Sequence, residues 1–178
     1  MLLVSLGDRF YRYRMETSDH RVSSVYLCST WEPFKGIAIT TYLSLSGAWF
    51  IRLHRIVSAV EFSTVEGGFA LPYNDAAYPL PAGLQKITEN EALWKTELGF
   101  SGIKNIGEKR QGKIITANPN ANIMYERTFI PSLLGNYAAG EYWVGCAALA
   151  HPDPRKGEEL WRRPTDFTRI VEDLKNSK

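Results

Sequence analysis

The sequence has few of the residues that mark a disulfide scaffold, a metal centre or a membrane protein. Only two of its 178 residues are cysteine and three are histidine, and the net charge is +2. His20, His54 and His151 stand far apart, without the paired spacings that zinc sites use. No apolar run approaches a membrane span, and the charge is too small to indicate a nucleic-acid or anionic lipid partner. We therefore expect no metal, no other cofactor, no nucleic-acid partner and no membrane partner.

The two cysteines and the N-terminal residues indicate the cellular compartment. Cys28 and Cys146 lie in strand-like segments far apart in the sequence, and we expect both to be buried free thiols rather than a disulfide. The opening run MLLVSLGDRF has no basic region before its apolar part, which is also too short for a signal peptide. These features predict a cytoplasmic protein.

Short segments in which apolar and polar residues alternate account for most of the chain. They are rich in β-branched and aromatic residues and are bounded by Gly, Pro, Asn or Asp, which is typical of strands. The dipeptide Ser46-Gly47 between two such segments predicts an antiparallel hairpin. The pattern predicts an all-β antiparallel β-sandwich, supersandwich-like, over residues 1–152. Its candidate strands are 9–15, 21–31, 36–45, 48–57, 59–64, 67–71, 84–88, 100–106, 112–117, 122–130 and 141–150.

The end of the chain has a different pattern. The run His-Pro-Asp-Pro at 151–154 predicts an extended break. After it, Phe167, Ile170, Val171 and Leu174 recur at helical spacing. We therefore predict a C-terminal extension, residues 153–178, that contains one short helix packed on the sandwich.

One cationic segment, AWFIRLHRIV at 48–57, carries the main functional hypothesis. Side chains alternate between the two faces of a strand, so Trp49, Ile51 and Leu53 share one face and Arg52 and His54 the other. We expect the first face to pack in the core. The second face predicts a groove or pocket for an anionic ligand, although a solvated face would have the same pattern.

Four residues could carry acid–base chemistry without a metal. Arginine neighbours favour the neutral form of His54, which suits a general base. Tyr125 shares a predicted strand face with Arg127 and could act as a general acid, or as a base once ionised. Arg52 and Arg127 could hold a carboxylate in bidentate fashion. Such groups suit β-elimination on a uronic acid, and equally the enolisation or cyclisation of a small molecule.

Two further residues are candidates for substrate binding. Glu66 stands at a diglycine turn, and Trp31 ends a predicted strand just before Glu32-Pro33. Every candidate also has a structural interpretation. A strand histidine is commonly hydrogen-bonded, a Tyr–Arg pair commonly stacks across strands, and a tryptophan is commonly part of the core.

Four runs of sequence resemble one family. The runs YLCSTWEPF, WFIRLHRIVSAVEFSTVEGGFAL, ENEALWKTELGFSGI and NPNANIMYERTFIPSLLG are similar to the C-terminal region of a bacterial and fungal family, domain of unknown function 2264. The resemblance spans roughly residues 10 to 150 and is most specific at His54, Arg55 and Ile56 and at the run EGGFA. It implies the plan of heparinase-type polysaccharide lyases, an α/α toroid followed by an antiparallel β-sandwich, with only the sandwich in this sequence.

The resemblance leaves three hypotheses for function. The first is a carbohydrate-related, lyase-derived module that recognises an acidic sugar or glycan. The second is a free-standing small-molecule isomerase or cyclase of specialised metabolism that uses the vacated cleft as a pocket. The third is a partner subunit without chemistry of its own. A sandwich without its toroid would expose a docking face, so we also expect a homodimer or a tightly docked C-terminal helix.

Overall fold

The computed structural model describes residues 2–6, 9–12, 19–22, 26–66, 71–72, 84–108, 113–117 and 128–176. Its strands are β1 (Leu2–Leu6), β2 (Arg9–Arg12), β3 (Asp19–Val22), β4 (Tyr26–Phe34), β5 (Ile37–Ser46), β6 (Trp49–Ser58), β7 (Phe62–Glu66), β8 (Leu71–Pro72), β9 (Leu84–Ile87), β10 (Glu91–Thr96), β11 (Gly99–Asn105), β12 (Lys113–Ala117), β13 (Thr128–Tyr137) and β14 (Gly140–His151). Two helices follow, α1 (Pro154–Arg162) and α2 (Phe167–Asn176).

The strands form two antiparallel sheets. The larger has eight strands in the order β3-β4-β5-β6-β14-β11-β10-β9. The smaller has six, in the order β12-β13-β7-β1-β2 with β8 added on β13. We call the face of the large sheet that packs on the small sheet its inner face, and the opposite face its outer face. The predicted all-β antiparallel sandwich is confirmed.

The predicted hairpin of β5 and β6 forms, with Gly47 and Ala48 as its turn residues, one position beyond the predicted dipeptide Ser46-Gly47. Gly47 has φ +58°, a left-handed conformation that glycine adopts without steric cost. The turn pairs Ser46 with Trp49, and the register then continues without a shift to Ile37 opposite Ser58. This register decides which side chains of β5 stand beside those of β6.

Each half of β6 is buried on a different face. On the outer face, Trp49, Ile51 and Leu53 are at most 3% exposed and pack in a cluster that includes both helices. On the inner face, Ile56 packs in a second cluster with Phe62 of β7 and with β13. The predicted core positions on the outer face are thus buried, but the burial changes face halfway along the strand.

The C-terminal segment contains two helices, one more than predicted. Asp153 caps α1, because its side chain accepts hydrogen bonds from the backbone N–H groups of Arg155 (2.8 Å) and Lys156 (3.1 Å). Pro154 follows at the first helical position, where its missing N–H has no consequence. The Asp-Pro pair interpreted as a break therefore begins a helix. The predicted helix is α2.

A tryptophan of α1 seats the helices on the outer face. Trp161 lies over Gly102, where an added Cβ would stand 2.6 Å from the indole ring. The Lys104 ammonium lies 4.4 Å from the Trp161 ring centroid, 5.2 Å from that of Trp49 and 5.9 Å from that of Phe167. Partial burial lowers the pKa of Lys104. The docked helices are one of the two arrangements expected to cover the sheet, and a homodimer stays a prediction.

Two strands, β1 and β10, were not predicted, and the predicted strands 21–31 and 122–130 overlap β3 and β13 only in part. The segment of β1 is a plain apolar run and that of β10, EALWKT, contains several residues of low strand propensity. Their pairing with neighbours overrides that weak local preference. The predicted strands at 67–71 and 122–130 lie largely outside the described residues.

The state of the two cysteines agrees with the prediction from the sequence. Cys28 and Cys146 are both buried and free, as predicted. Neither described helix is long and apolar enough to cross a membrane.

The change of buried face along β6 predicts unequal costs for truncating two residues of its outer face. Leu53 is fully buried, so Leu53→Ala should lower the free energy of unfolding by about 2–5 kcal/mol. Val57, on the same face, is 40% exposed, so Val57→Ala should cost only about 0.5 kcal/mol. Chemical denaturation of both variants measures the difference, and equal costs would contradict the change of burial along the outer face of β6.

Candidate functional site

Arg52 and His54 lie two residues apart on the inner face of β6, as the alternation predicts. Arg52 stands between Leu43 of β5 and Cys146 of β14 in the register of the sheet. His54 stands in the next inner-face row, about 7 Å further along the strand. The two cationic candidates therefore share one surface, between the two sheets.

His54 is enclosed. It is 2% exposed, and its Nδ1 lies 2.8 Å from the hydroxyl oxygen of Thr41, its direct neighbour on β5. Ser29 of β4 continues the same row beyond Thr41 and is also buried. The prediction for this face was a groove or a pocket. At 2% exposure His54 does not line an open groove, and an enclosed pocket at this position stays a prediction. The His54 ring is held in a buried row with two hydroxyl side chains.

The inner face becomes more exposed from His54 towards β4 and the tip of the β5–β6 hairpin. Arg52 is half-buried, Leu27 is 39% exposed and Leu45 is 77% exposed. Leu43 lies between them and is half-buried. We call these four residues, Arg52, Leu27, Leu43 and Leu45, the inner-face opening. It combines one guanidinium with exposed apolar surface.

A second arginine of β6, Arg55, lies in a different environment from Arg52. It lies on the outer face and forms a bidentate pair with Glu141, with N···O distances of 2.8 and 3.2 Å. The hydrogen bond raises the pKa of Arg55 and lowers that of Glu141. Substitution of Arg55 is therefore a suitable control for substitution of Arg52.

The predicted binding residues Trp31 and Glu66 lie in different sheets. Trp31 is only 4% exposed and belongs to the inner-face cluster that contains Phe62, so its ring offers almost no surface to a sugar. It does not end a strand, since β4 continues to Phe34 through an irregularity in its pairing. Glu66 is the last residue of β7, paired with β1 and β13. A role in binding stays a prediction for both.

Tyr125 and Arg127 lie outside the described residues. The shared site that would combine them with His54 therefore stays a prediction. The next described segment is β13, which pairs with β7 in the small sheet and begins at Thr128.

Thr41 and Ser29 are the site residues that sequence reasoning missed. The turn at Gly47-Ala48 pairs Ser46 with Trp49 and hence Thr41 with His54. The predicted turn at Ser46-Gly47 would instead have placed Ile39 opposite His54, so the partner of His54 depends on the exact position of the turn. The described residues contain no group of three His, Cys, Asp or Glu side chains that could hold a metal ion.

Comparison with known proteins identifies the family. A family model described as the DUF2264 C-terminal domain matches residues 7–166. The chain belongs to this family. No curated protein matches this DUF2264 C-terminal domain significantly.

Solved polysaccharide lyases share the fold of the domain. Heparan sulfate lyase HepC from Pedobacter heparinus superimposes with a TM-score of 0.58 and 8% identity over 85% of this chain and 24% of that chain. The heparinase III BT4657 gene product superimposes with a TM-score of 0.60, at the same identity and coverage. The DUF2264 C-terminal domain thus spans about a quarter of the length of these chains. At such low identity the likeness establishes the fold, as the resemblance implied.

The Thr41–His54 hydrogen bond predicts different effects for two neighbouring threonines. Thr41→Val should cost about 1–3 kcal/mol, because a buried imidazole nitrogen loses its partner. Thr40→Val, which removes an exposed hydrogen bond to Thr30, should cost about 0.5 kcal/mol. Denaturation gives the costs, and ¹⁵N NMR of the imidazole should show a change only in the Thr41 variant. Unchanged His54 resonances in that variant would contradict the contact.

Proposed function

We propose that the DUF2264 C-terminal domain is a carbohydrate-related, lyase-derived module that recognises an acidic sugar through Arg52. The observation that carries this proposal is the position of Arg52 in the inner-face opening, beside exposed leucines. Three features support it: the lyase-type fold, the family membership and a cation on the face between the sheets.

The inner-face opening has the chemistry that a uronic acid requires. A guanidinium is permanently charged and presents parallel N–H donors to both oxygens of a carboxylate. Leu43 and Leu45 offer apolar surface beside it to the C–H groups of a pyranose ring. A carboxylate bound here would point inward, towards the row that contains His54.

His54 is the proposed proton-transfer group of this site. Thr41 holds its ring in one orientation, which is what a general base or acid needs before substrate arrives. In a β-elimination the base removes the proton α to the sugar carboxylate, and the C–O bond at the β carbon then breaks. The departing oxygen takes up a proton, for which Tyr125 is the predicted donor, while Arg127 would add a second contact to the carboxylate. Because His54 is buried, the ligand would have to enter between the sheets.

The burial of His54 also favours a second candidate function. An enclosed imidazole suits a small molecule better than a long chain, so an isomerase or cyclase would use the same acid–base pair on a compact substrate. The two candidates differ in the ligand and share Arg52 and His54. Binding of a sugar acid therefore tests which of them applies.

Isothermal titration calorimetry with trigalacturonate tests the role of Arg52. Arg52→Gln should weaken binding roughly 10- to 100-fold, the loss expected for a charged hydrogen-bonding group. Arg55→Gln is the matched control, because it removes a charge from the opposite face of the same strand. It should leave the affinity unchanged.

Three outcomes are distinguishable. Loss of affinity in the Arg52 variant alone supports an acidic-sugar site on the inner face. Equal loss in both variants would indicate only a general charge effect, and would contradict the proposal. Absence of trigalacturonate binding to the wild type would reject it. Ultraviolet absorbance of an unsaturated uronate would report turnover in the same samples.

A further inference from the structure

The outer face of the large sheet carries a row of aromatic rings beside the docked helices. Tyr42 of β5 stacks on Trp143 of β14, with ring centroids 5.8 Å apart and an interplanar angle of 28°. Tyr26 of β4 meets Tyr42 edge-on at 5.6 Å. Trp143 is buried, whereas both tyrosines are half-exposed. The row therefore begins near the helices and continues onto a part of the sheet surface that is more exposed.

A rigid polar group stands beside these rings. Arg55 and Glu141 are 43% and 46% exposed in their side chains and are joined by two hydrogen bonds. Arg55 is the main cause that lowers the pKa of Glu141, and the Trp143 side chain and Lys175 lower it further. The carboxylate is held by both N–H donors of the Arg55 guanidinium, across two strands. Such a group presents its remaining donors and acceptors in a set geometry.

The charge of this surface indicates what it would bind. Because Arg55 and Glu141 neutralise one another, the pair attracts neither an anion nor a cation strongly. It offers a guanidinium donor and a carboxylate acceptor side by side, which complements a pair of neighbouring hydroxyl groups. The electron-rich faces of the tyrosine rings complement polarised C–H groups. Hydroxyls on the rim of a ring and C–H groups on its faces are the chemistry of an uncharged pyranose.

We propose that Tyr26, Tyr42, Arg55 and Glu141 form a second carbohydrate site, on the outer face, for a neutral sugar chain. We call it the outer-face site. It does not depend on the acidic-sugar proposal, since it lies on the opposite face of β6 and differs in charge. The two sites together would let one domain contact a glycan that contains both neutral and acidic residues.

Titration of the full chain with cellohexaose, a neutral β-linked glucan fragment, tests the outer-face site. Tyr42→Leu should weaken binding about tenfold, because the ring contact is lost. Tyr42→Phe keeps the ring and should retain the affinity. Glu141→Gln should weaken binding several-fold, since it disrupts the pair with Arg55. Glu159→Gln is its control, an exposed glutamate of α1 that pairs with Arg163 in the same way and should have no effect.

Two further measurements complete the test of the outer-face site: the stability of the variants and their binding of the acidic sugar. Because Tyr42 packs against Trp143, the melting temperature of the Tyr42→Leu variant must be measured as well. If that variant is destabilised, the binding test relies on Glu141→Gln, which changes an exposed side chain. Arg52→Gln should weaken trigalacturonate and leave cellohexaose unchanged, which separates this proposal from the first. The outer-face site would be rejected if the wild type shows no saturable cellohexaose binding. It would also be rejected if Tyr42→Leu and Glu141→Gln, in folded protein, bind like the wild type, or if Arg52→Gln abolishes cellohexaose binding.

Discussion

The packing of Trp161 on the large sheet is the contact on which the arrangement of this domain depends. The indole can approach the sheet this closely only because Gly102 has no side chain, and Gly157 lets α1 approach Phe100 in the same way. Around this contact the ammonium of Lys104 lies among three rings, a cation–π arrangement that strengthens as water is excluded. The helices thereby cover the half of the outer face that would otherwise expose Trp49 and its neighbours.

The two faces of β6 are covered at different places along the strand. The helices bury the first half of its outer face, and the small sheet buries the second half of its inner face. Arg52 and Arg55, three residues apart, consequently occupy unlike environments. Arg55 is exposed and paired with Glu141, whereas Arg52 lies at the edge of the space between the sheets. One strand thus supplies a cation to each of the two surfaces for which we propose different ligands.

The sequence predicted the faces of β6 but not which stretch of each face would be covered. Alternation is a local property, so Leu53 and Arg52 could be assigned to opposite faces directly. Coverage depends on packing between sheets and on elements distant in sequence such as β13 and the helices, and this is why the burial of His54 was missed. Thr41 was missed because the turn lies at Gly47-Ala48, one residue beyond the predicted dipeptide, and the register of β5 against β6 changes with it. The Asp-Pro start of α1 was interpreted as a break because capping and chain breaking use the same residues.

The central claim is that an acidic sugar approaches the inner face and meets Arg52. The side-chain Nε–H groups of Arg52 and Arg55 provide two reporters on opposite faces of one strand, and a single ¹H–¹⁵N NMR spectrum can record both. On addition of trigalacturonate, the account predicts a saturable shift of the Arg52 Nε–H resonance while that of Arg55 stays in place. A shift of the Arg55 resonance alone, or equal shifts of both, would contradict it.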